Sequence, residues 1–147
     1  MKVEEMTLDV NQNIEIKAAI GDVFRTVVSR FGEGFTDPKG QSLQMVLEQW
    51  PGGRWFRDRG NGIGHLWGHV QVIKPPKVLE LVGPTMMSYP VASHIQYRLT
   101  DQPGGGTLLK FTHQAFGIIQ PGLEQDVSKG WGEMLDHIRT AAEKKRG

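Results

Sequence analysis

The sequence predicts an α+β fold with the order strand, helix, a run of antiparallel strands and a long final helix. Nineteen Gly and eight Pro among 147 residues exceed the usual combined share of about 12%, which favours a sheet with many turns. Apolar residues alternate with polar ones in the middle of the chain, whereas they recur every three or four residues in one early and one late segment. These periods are typical of half-buried strands and amphipathic helices, and helices on one face of an antiparallel sheet define the α+β class.

The first strand leads directly into the first helix. Val10, Ile14 and Ile16 alternate with polar residues, so 10–17 is predicted to be a half-buried strand. The spacing of apolar residues then changes to three and four, which predicts a short amphipathic helix over Ala19–Arg30. A glycine-rich segment follows and ends this helix.

Six further strands are predicted after this helix, separated by turns that are rich in Gly and Pro. The segments Pro51–Gly53, Arg59–Gly62 and Asp101–Gly106 have the composition of hairpin turns. A loop is predicted over Pro84–Pro90. The predicted strands are Ser42–Trp50, Gly53–Asp58, His65–Ile73, Val78–Val82, Val91–Leu99 and Thr107–His113.

A long amphipathic helix is predicted over Gly122–Lys145, with Pro121 at its start. At 1.5 Å per residue, a helix of about 24 residues is roughly 36 Å long. One face of it is apolar and is expected to pack on the sheet. The residues of this face are Leu123, Val127, Trp131, Met134, Leu135, Ile138 and Ala142.

Composition excludes several classes of function. The 17 basic and 16 acidic residues leave a net charge of +1, so no nucleic-acid partner is expected. Without Cys, the chain has no disulfides, thiol nucleophiles or thiolate-bound metals, and we expect neither a metal nor a cofactor. No apolar run approaches the ~18 residues of a membrane span, and the acidic N-terminus does not resemble a signal peptide. We therefore expect one cytoplasmic domain over 1–147, without membrane insertion.

Several short motifs occur in an order that covers nearly the whole chain. They are Ile14–Ala18 with Val23-Phe24, Pro51–Trp55, Gly68–Val70, Ile73–Leu79, Gly106-Thr107, His113 and Gly130-Trp131. In order and spacing they resemble the START-like (SRPBCC, helix-grip) superfamily, and within it the homologues of the C-terminal domain of the heat-shock-protein-90 ATPase activator. The resemblance implies a curved antiparallel sheet of about seven strands wrapped around the C-terminal helix. It also implies a cavity, which in various members holds lipids, hormones or polyketides.

Few polar residues are placed to act in such a cavity. Ser93, Tyr97 and His113 fall on the inward faces of two neighbouring predicted strands. An inward His can move a proton or can simply be a hydrogen-bonded core residue, and both interpretations stay open. An enzyme of the cyclase or hydratase kind would use His113 as acid or base and Tyr97 as the orienting hydroxyl. That role requires the two side chains to lie within hydrogen-bond reach, or one water apart, beside a cavity.

His65 and His69 resemble a metal-binding pair only if they lie on a helix. Their surroundings predict a strand, in which four residues span about 13 Å, too far for one ion. Strict alternation would place Trp67 and His69 on one face of this strand and Leu66 and Val70 on the other. The sequence leaves open which pair faces inward.

The predicted function is the binding of a small hydrophobic or amphipathic molecule between the sheet and the C-terminal helix, without defined catalysis. The alternatives are the cyclase or hydratase enzyme and a module that contacts a chaperone. The chain is expected to be a monomer or a homodimer. The predicted pocket residues are Trp55, Trp67, His69, Ser93, Tyr97, Phe111, His113, Trp131, Met134 and Leu135.

Overall fold

The computed structural model describes residues 2–85 and 90–144. It confirms the α+β class and the predicted order of helices and strands. A short 3-10 helix, which was not predicted, precedes the first strand. The elements are a 3-10 helix (Val3–Met6), β1 (Thr7–Ile16), α1 (Ile20–Phe31), β2 (Met45–Leu47), β3 (Arg54–Asp58), β4 (Gly64–Lys74), β5 (Val78–Gly83), β6 (Val91–Asp101), β7 (Thr107–Gly117) and α2 (Leu123–Lys144).

The seven strands form one antiparallel sheet in the order β1-β7-β6-β5-β4-β3-β2. The first and last strands are therefore neighbours, with Thr7 opposite Phe116 and Ile16 opposite Thr107. Alternate residues of each strand point to the face that the helices cover. The buried residues of β1, β6 and β7 on this face include Leu8, Val10, Ile95, Tyr97, Leu99, Leu109 and Phe111.

Polar contacts fix α2 along β1 at both ends of the helix. The amide of Gln12 donates hydrogen bonds to the backbone oxygen and the hydroxyl of Ser128, at 2.8 and 3.0 Å. The backbone N–H of Lys17 donates to the carboxylate of Glu143 at 2.8 Å. Because these contacts lie near opposite ends of α2, they define its direction across the sheet.

Two predicted boundaries differ from the structure for local reasons. Of the predicted strand 42–50, only Met45–Leu47 joins the sheet, because Gln44 takes a positive φ of 56° that a strand does not allow. Ser42 forms only an isolated bridge, with Thr36. The last helix begins one residue later than predicted, since Gly122 has a φ of +85°. Its predicted last residue, Lys145, and positions 86–89 of the predicted loop lie outside the described residues.

Strand β4 changes face part-way along its length. Its pairing with β3 shifts by one residue between Trp55 and Phe56, which is the signature of a β-bulge. Gly68 lies at this point, and a Cβ atom there would come within 2.5 Å of the backbone oxygen of Val82. As a result Trp67 and Val70 are both buried, whereas His69 is exposed. Neither of the two strictly alternating arrangements is therefore correct.

The middle of the core is a cluster of aromatic rings around Phe31, the last residue of α1. The Phe31 ring lies nearly parallel to the rings of Trp55 and Trp131, with centroids 5.2 and 5.8 Å away. The Tyr97 ring is nearly perpendicular to the Phe31 ring, with the two centroids 5.2 Å apart. The indole of Trp55 also donates a hydrogen bond to the backbone oxygen of Phe31 at 2.8 Å. The C-terminal end of α1 is thus attached to both the sheet and α2.

Removal of the central ring is expected to destabilise the protein strongly. Phe31 is fully buried (0% exposed), so Phe31→Ala should lower the free energy of unfolding by about 3–5 kcal/mol. Chemical denaturation followed by far-UV circular dichroism measures this change. Phe116→Ala is the matched control, because Phe116 is 55% exposed and should change stability by less than about 0.5 kcal/mol. Equal losses for the two variants would contradict the central role of Phe31.

Candidate functional site

A chain of hydrogen bonds lies beneath α2, between the helix and the sheet. The indole N–H of Trp131 donates to Nδ1 of His113 at 2.9 Å, and Nε2 of His113 lies 2.9 Å from the hydroxyl of Ser93. Because an indole can only donate, Nδ1 of His113 carries no proton. The neutral ring therefore holds its proton on Nε2 and donates it to Ser93.

The same chain continues to the segment that follows β5. The hydroxyl of Thr85 lies 2.6 Å from the backbone oxygen of Pro84 and 3.3 Å from the hydroxyl of Ser93. The single proton of Thr85 is best placed to bond the closer carbonyl oxygen. The Ser93 hydroxyl can then donate to Thr85. Every hydroxyl and ring nitrogen in this series of hydrogen bonds therefore has a partner. This arrangement links Trp131 on α2 to Thr85 across the sheet.

The surroundings of His113 keep its ring uncharged. His113 is only 1% exposed, and burial lowers its pKa from 6.5 to about 4. Protonation of Nδ1 would also remove the acceptor of the Trp131 N–H. Near neutral pH, His113 is therefore a neutral group that holds α2 on the sheet.

The geometry that an acid–base role would require is not present. Both ring nitrogens of His113 are engaged, by Trp131 and Ser93. The hydroxyl of Tyr97 is buried and has no hydrogen-bond partner within the described residues. Burial raises the pKa of Tyr97 well above its usual range, so the phenol keeps its proton. His113 and Tyr97 are thus parts of the packed core and form no pair beside an open cavity.

An open cavity lies nearer the N-terminal half of α2. Its volume is about 330 Å³, and it is bounded by α2, by the segment 35–38 that follows α1, and by Trp67 and Thr85 on the sheet side. The buried residues of its wall are Trp67, Thr85, Val127, Trp131 and Met134. The remaining wall residues are Phe35, Thr36, Asp37, Pro38, Leu123, Asp126, Gly130, Glu133 and His137.

Three predicted pocket residues, Trp67, Trp131 and Met134, line this cavity. The prediction that His69 lines the pocket is wrong. His69 lies on the outer face of the sheet, because the bulge at Gly68 reverses the alternation of β4. The other predicted residues are buried and do not line the cavity. They are Trp55, Ser93, Tyr97, Phe111, His113 and Leu135.

Sequence reasoning missed the outer wall of the cavity. Phe35 and Thr85 lie in irregular segments between elements, and the period of apolar residues does not position such segments. Gly130 could have been identified from the sequence. A glycine inside a helix lowers the stability of the helix and therefore indicates a local requirement for a small residue. The acidic residues Asp126 and Glu133 of α2 also line the cavity and were not among the predicted pocket residues.

The indole N–H of Trp67 has no hydrogen-bond partner in the described part of the chain, although the atom is buried. Burial of an unpaired donor typically costs about 1–3 kcal/mol. Other atoms of Trp67 belong to the cavity wall.

Within residues 2–85 and 90–144, no group of three or more His, Asp or Glu side chains is arranged to hold a metal ion. No helix in these ranges is long and apolar enough to cross a membrane.

The sequence matches one protein family over most of its length. Residues 17–143 fit the family described as Activator of Hsp90 ATPase homolog 1-like protein. This chain belongs to that family. The match confirms the resemblance that the motifs indicated, and no curated protein matches the chain significantly.

Several solved structures share the fold of this chain. An uncharacterized protein from Rhizobium leguminosarum is 22% identical, with a TM-score of 0.70 over 94% of this chain and 97% of that protein. Protein CV1439 from Chromobacterium violaceum is 14% identical, with a TM-score of 0.71 over 92% and 96% of the two chains. The di-domain ARO/CYC protein StfQ from the steffimycin biosynthetic pathway is 14% identical, with a TM-score of 0.62 over 99% and 53%. At these identities the similarity shows the fold of this Hsp90-activator-like chain and no more.

The stability of the protein is expected to depend on pH through His113. Its pKa is lower in the folded chain than in the unfolded chain, so the unfolded state takes up a proton first. The contribution of neutral His113 to the free energy of unfolding is complete above about pH 6.5. It falls as the pH decreases and is lost by about pH 4. A shift of this size corresponds to about 3 kcal/mol.

Urea denaturation at a series of pH values measures this dependence, and His113→Gln removes the titrating group. The variant should have a flatter profile between about pH 6.5 and 4. His69→Gln, on the exposed face of β4, should keep the profile of the unmodified protein. Parallel profiles for His113→Gln and the unmodified protein would show that His113 does not titrate in this range.

Proposed function

We propose that this chain binds a small, mostly apolar molecule in the cavity between the N-terminal half of α2 and the segment 35–38. This site lies to one side of the aromatic cluster around Phe31. Beneath the middle of α2, packed aromatic rings fill the space between the helix and the sheet. The observation that carries the proposal is a cavity of about 330 Å³ lined by Trp67, Trp131 and Met134.

The size and lining of the cavity support this role. Pockets for small molecules usually have volumes of about 300–1,000 Å³ and are mostly apolar, with a few polar groups. Trp67, Trp131 and Phe35 provide wide aromatic surfaces, and Met134 is flexible enough to adapt to different shapes. The polar residues of the wall are Thr36, Asp37, Thr85, Asp126, Glu133 and His137.

Gly130 provides independent support for a functional cavity. It lies inside α2 and lines the cavity, and a Cβ atom at this position would meet nothing within 4 Å. Packing therefore does not require glycine here, although glycine costs a helix about 1 kcal/mol relative to alanine. A larger side chain would project into the open space, so glycine keeps the cavity free.

The alternatives have less support from the structure. The fold similarity to the ARO/CYC protein StfQ does not lead us to propose catalysis, since His113 and Tyr97 form no pair. Contact with a chaperone, which the family name suggests, stays a prediction from resemblance.

Binding can be tested with N-phenyl-1-naphthylamine, an uncharged apolar dye whose fluorescence rises in apolar sites. The full chain is expected to bind one dye molecule, and Gly130→Leu should weaken that binding about tenfold or more by filling the cavity (about 1.4 kcal/mol or more). Gly130→Ala is the matched control, because it adds one methyl group and should raise the free energy of unfolding by about 1 kcal/mol while binding is kept. No binding by the unmodified chain, or equal binding by Gly130→Leu, would refute the proposal.

A further inference from the structure

The charged residues at the mouth of the cavity are all acidic. Asp37, Asp126 and Glu133 contribute to the wall, and no Lys or Arg of the described ranges does. His137 also lies there, and its Nδ1 accepts a hydrogen bond from the guanidinium of Arg30 at 2.8 Å. Arg30 itself does not line the cavity. The mouth therefore carries a negative charge that the protein does not neutralise within the wall.

Two of the three carboxylates have no cationic partner in residues 2–85 and 90–144. Asp126 and Glu133 form no ion pair there. Lys129 lies three residues after Asp126 and four before Glu133 on α2, spacings that allow helical ion pairs, yet it forms neither. The carboxylate of Asp37 instead accepts hydrogen bonds from the backbone N–H groups of Lys39 and Gln41, at 2.8 and 2.9 Å.

Asp126 has a second physical explanation, and Glu133 does not. Asp126 lies in the first turn of α2, where the helix dipole favours an acidic residue. Glu133 lies ten residues after Leu123, the first residue of the helix, where that effect has faded. Its carboxylate is thus available to a ligand at no cost to helix stability.

The aromatic residues of the wall give a second, independent preference for a positively charged ligand. Trp67, Trp131 and Phe35 contribute aromatic surface to the cavity wall, and an aromatic ring attracts a cation placed over its face through its negative quadrupole. A positively charged group would be stabilised by these faces and by the carboxylates of Asp126 and Glu133. A negatively charged group would be repelled by both.

We infer that the ligand is an amphipathic organic cation, with an aromatic or alicyclic body inside the cavity and an amine at its mouth. This inference rests on the proposed function and narrows it to one class of ligand. Fatty acids and other apolar carboxylates of similar size are expected to bind more weakly because of the same charges.

Three compounds with one naphthalene body separate charge from apolar binding. They are 2-(1-naphthyl)ethylamine, 2-(1-naphthyl)ethanol and 1-naphthylacetic acid, which is called the acetate below. Each is measured by displacement of N-phenyl-1-naphthylamine from the full chain. At about pH 7.5 the amine is protonated and the acid is ionised. The amine is expected to bind about tenfold more tightly than the acetate at low salt, with the alcohol between them. Added salt should reduce this ratio, since it screens exposed charges.

Variants of α2 test whether the acidic mouth causes the preference. In the double variant Asp126→Asn with Glu133→Gln, the amine and the acetate should bind with affinities within about twofold to threefold of each other, because Asp37 remains. Asp136→Asn is the matched control, since Asp136 is an exposed α2 residue that pairs with Arg139 and does not line the cavity. This control should keep the full preference for the amine.

The outcomes distinguish this inference from the proposed function. If the alcohol displaces the dye but the amine and the acetate bind equally, or the double variant keeps the full preference, the inference is overturned and the proposed function stands. If the dye binds but none of the three compounds displaces it, the inference is overturned and the proposed function stands; if the dye itself does not bind, both are overturned.

Discussion

The stacking of Phe31 between the sheet and the C-terminal helix is the interaction on which the rest of the structure depends. Its ring is nearly parallel to Trp55 of β3 and Trp131 of α2, and its backbone oxygen accepts the Trp55 N–H. One side chain at the end of α1 therefore joins the sheet to both helices. Because these rings, with Tyr97 and Phe111, fill the space beneath the middle of α2, the cavity lies to one side of them.

Trp131 connects this core to the candidate site. One edge of its ring system donates a hydrogen bond to His113, its face lies against Phe31, and part of its surface lines the cavity. A residue held in this way cannot turn without the loss of a buried hydrogen bond and a stacking contact. The cavity wall is therefore rigid on the Trp131 side, and Met134 provides its adaptable part.

The fold could be predicted well from the sequence, because the local spacing of apolar residues indicates each strand and helix. The alternation at Val10, Ile14 and Ile16 and the helical spacing of Leu123, Val127 and Trp131 both follow directly from which face is buried. The site was predicted only in part. Trp67, Trp131 and Met134 were predicted correctly because they lie on regular elements. The bulge at Gly68 and the backbone conformation of Gln44 were not predicted, because they depend on contacts between strands that a local sequence pattern does not contain. The same is true of Phe35 and Thr85, whose positions in the cavity wall are set by loops.

The central claim is that the protein binds its ligand beside the aromatic cluster and not within it. Backbone amide chemical shifts of the full chain, recorded during titration with N-phenyl-1-naphthylamine, test this most directly. The structure predicts the largest changes at Thr36, Val127 and Gly130, around the cavity, and small changes at Ile95 and Leu109 beneath α2. Largest changes at Ile95 and Leu109, with Gly130 unaffected, would contradict the account.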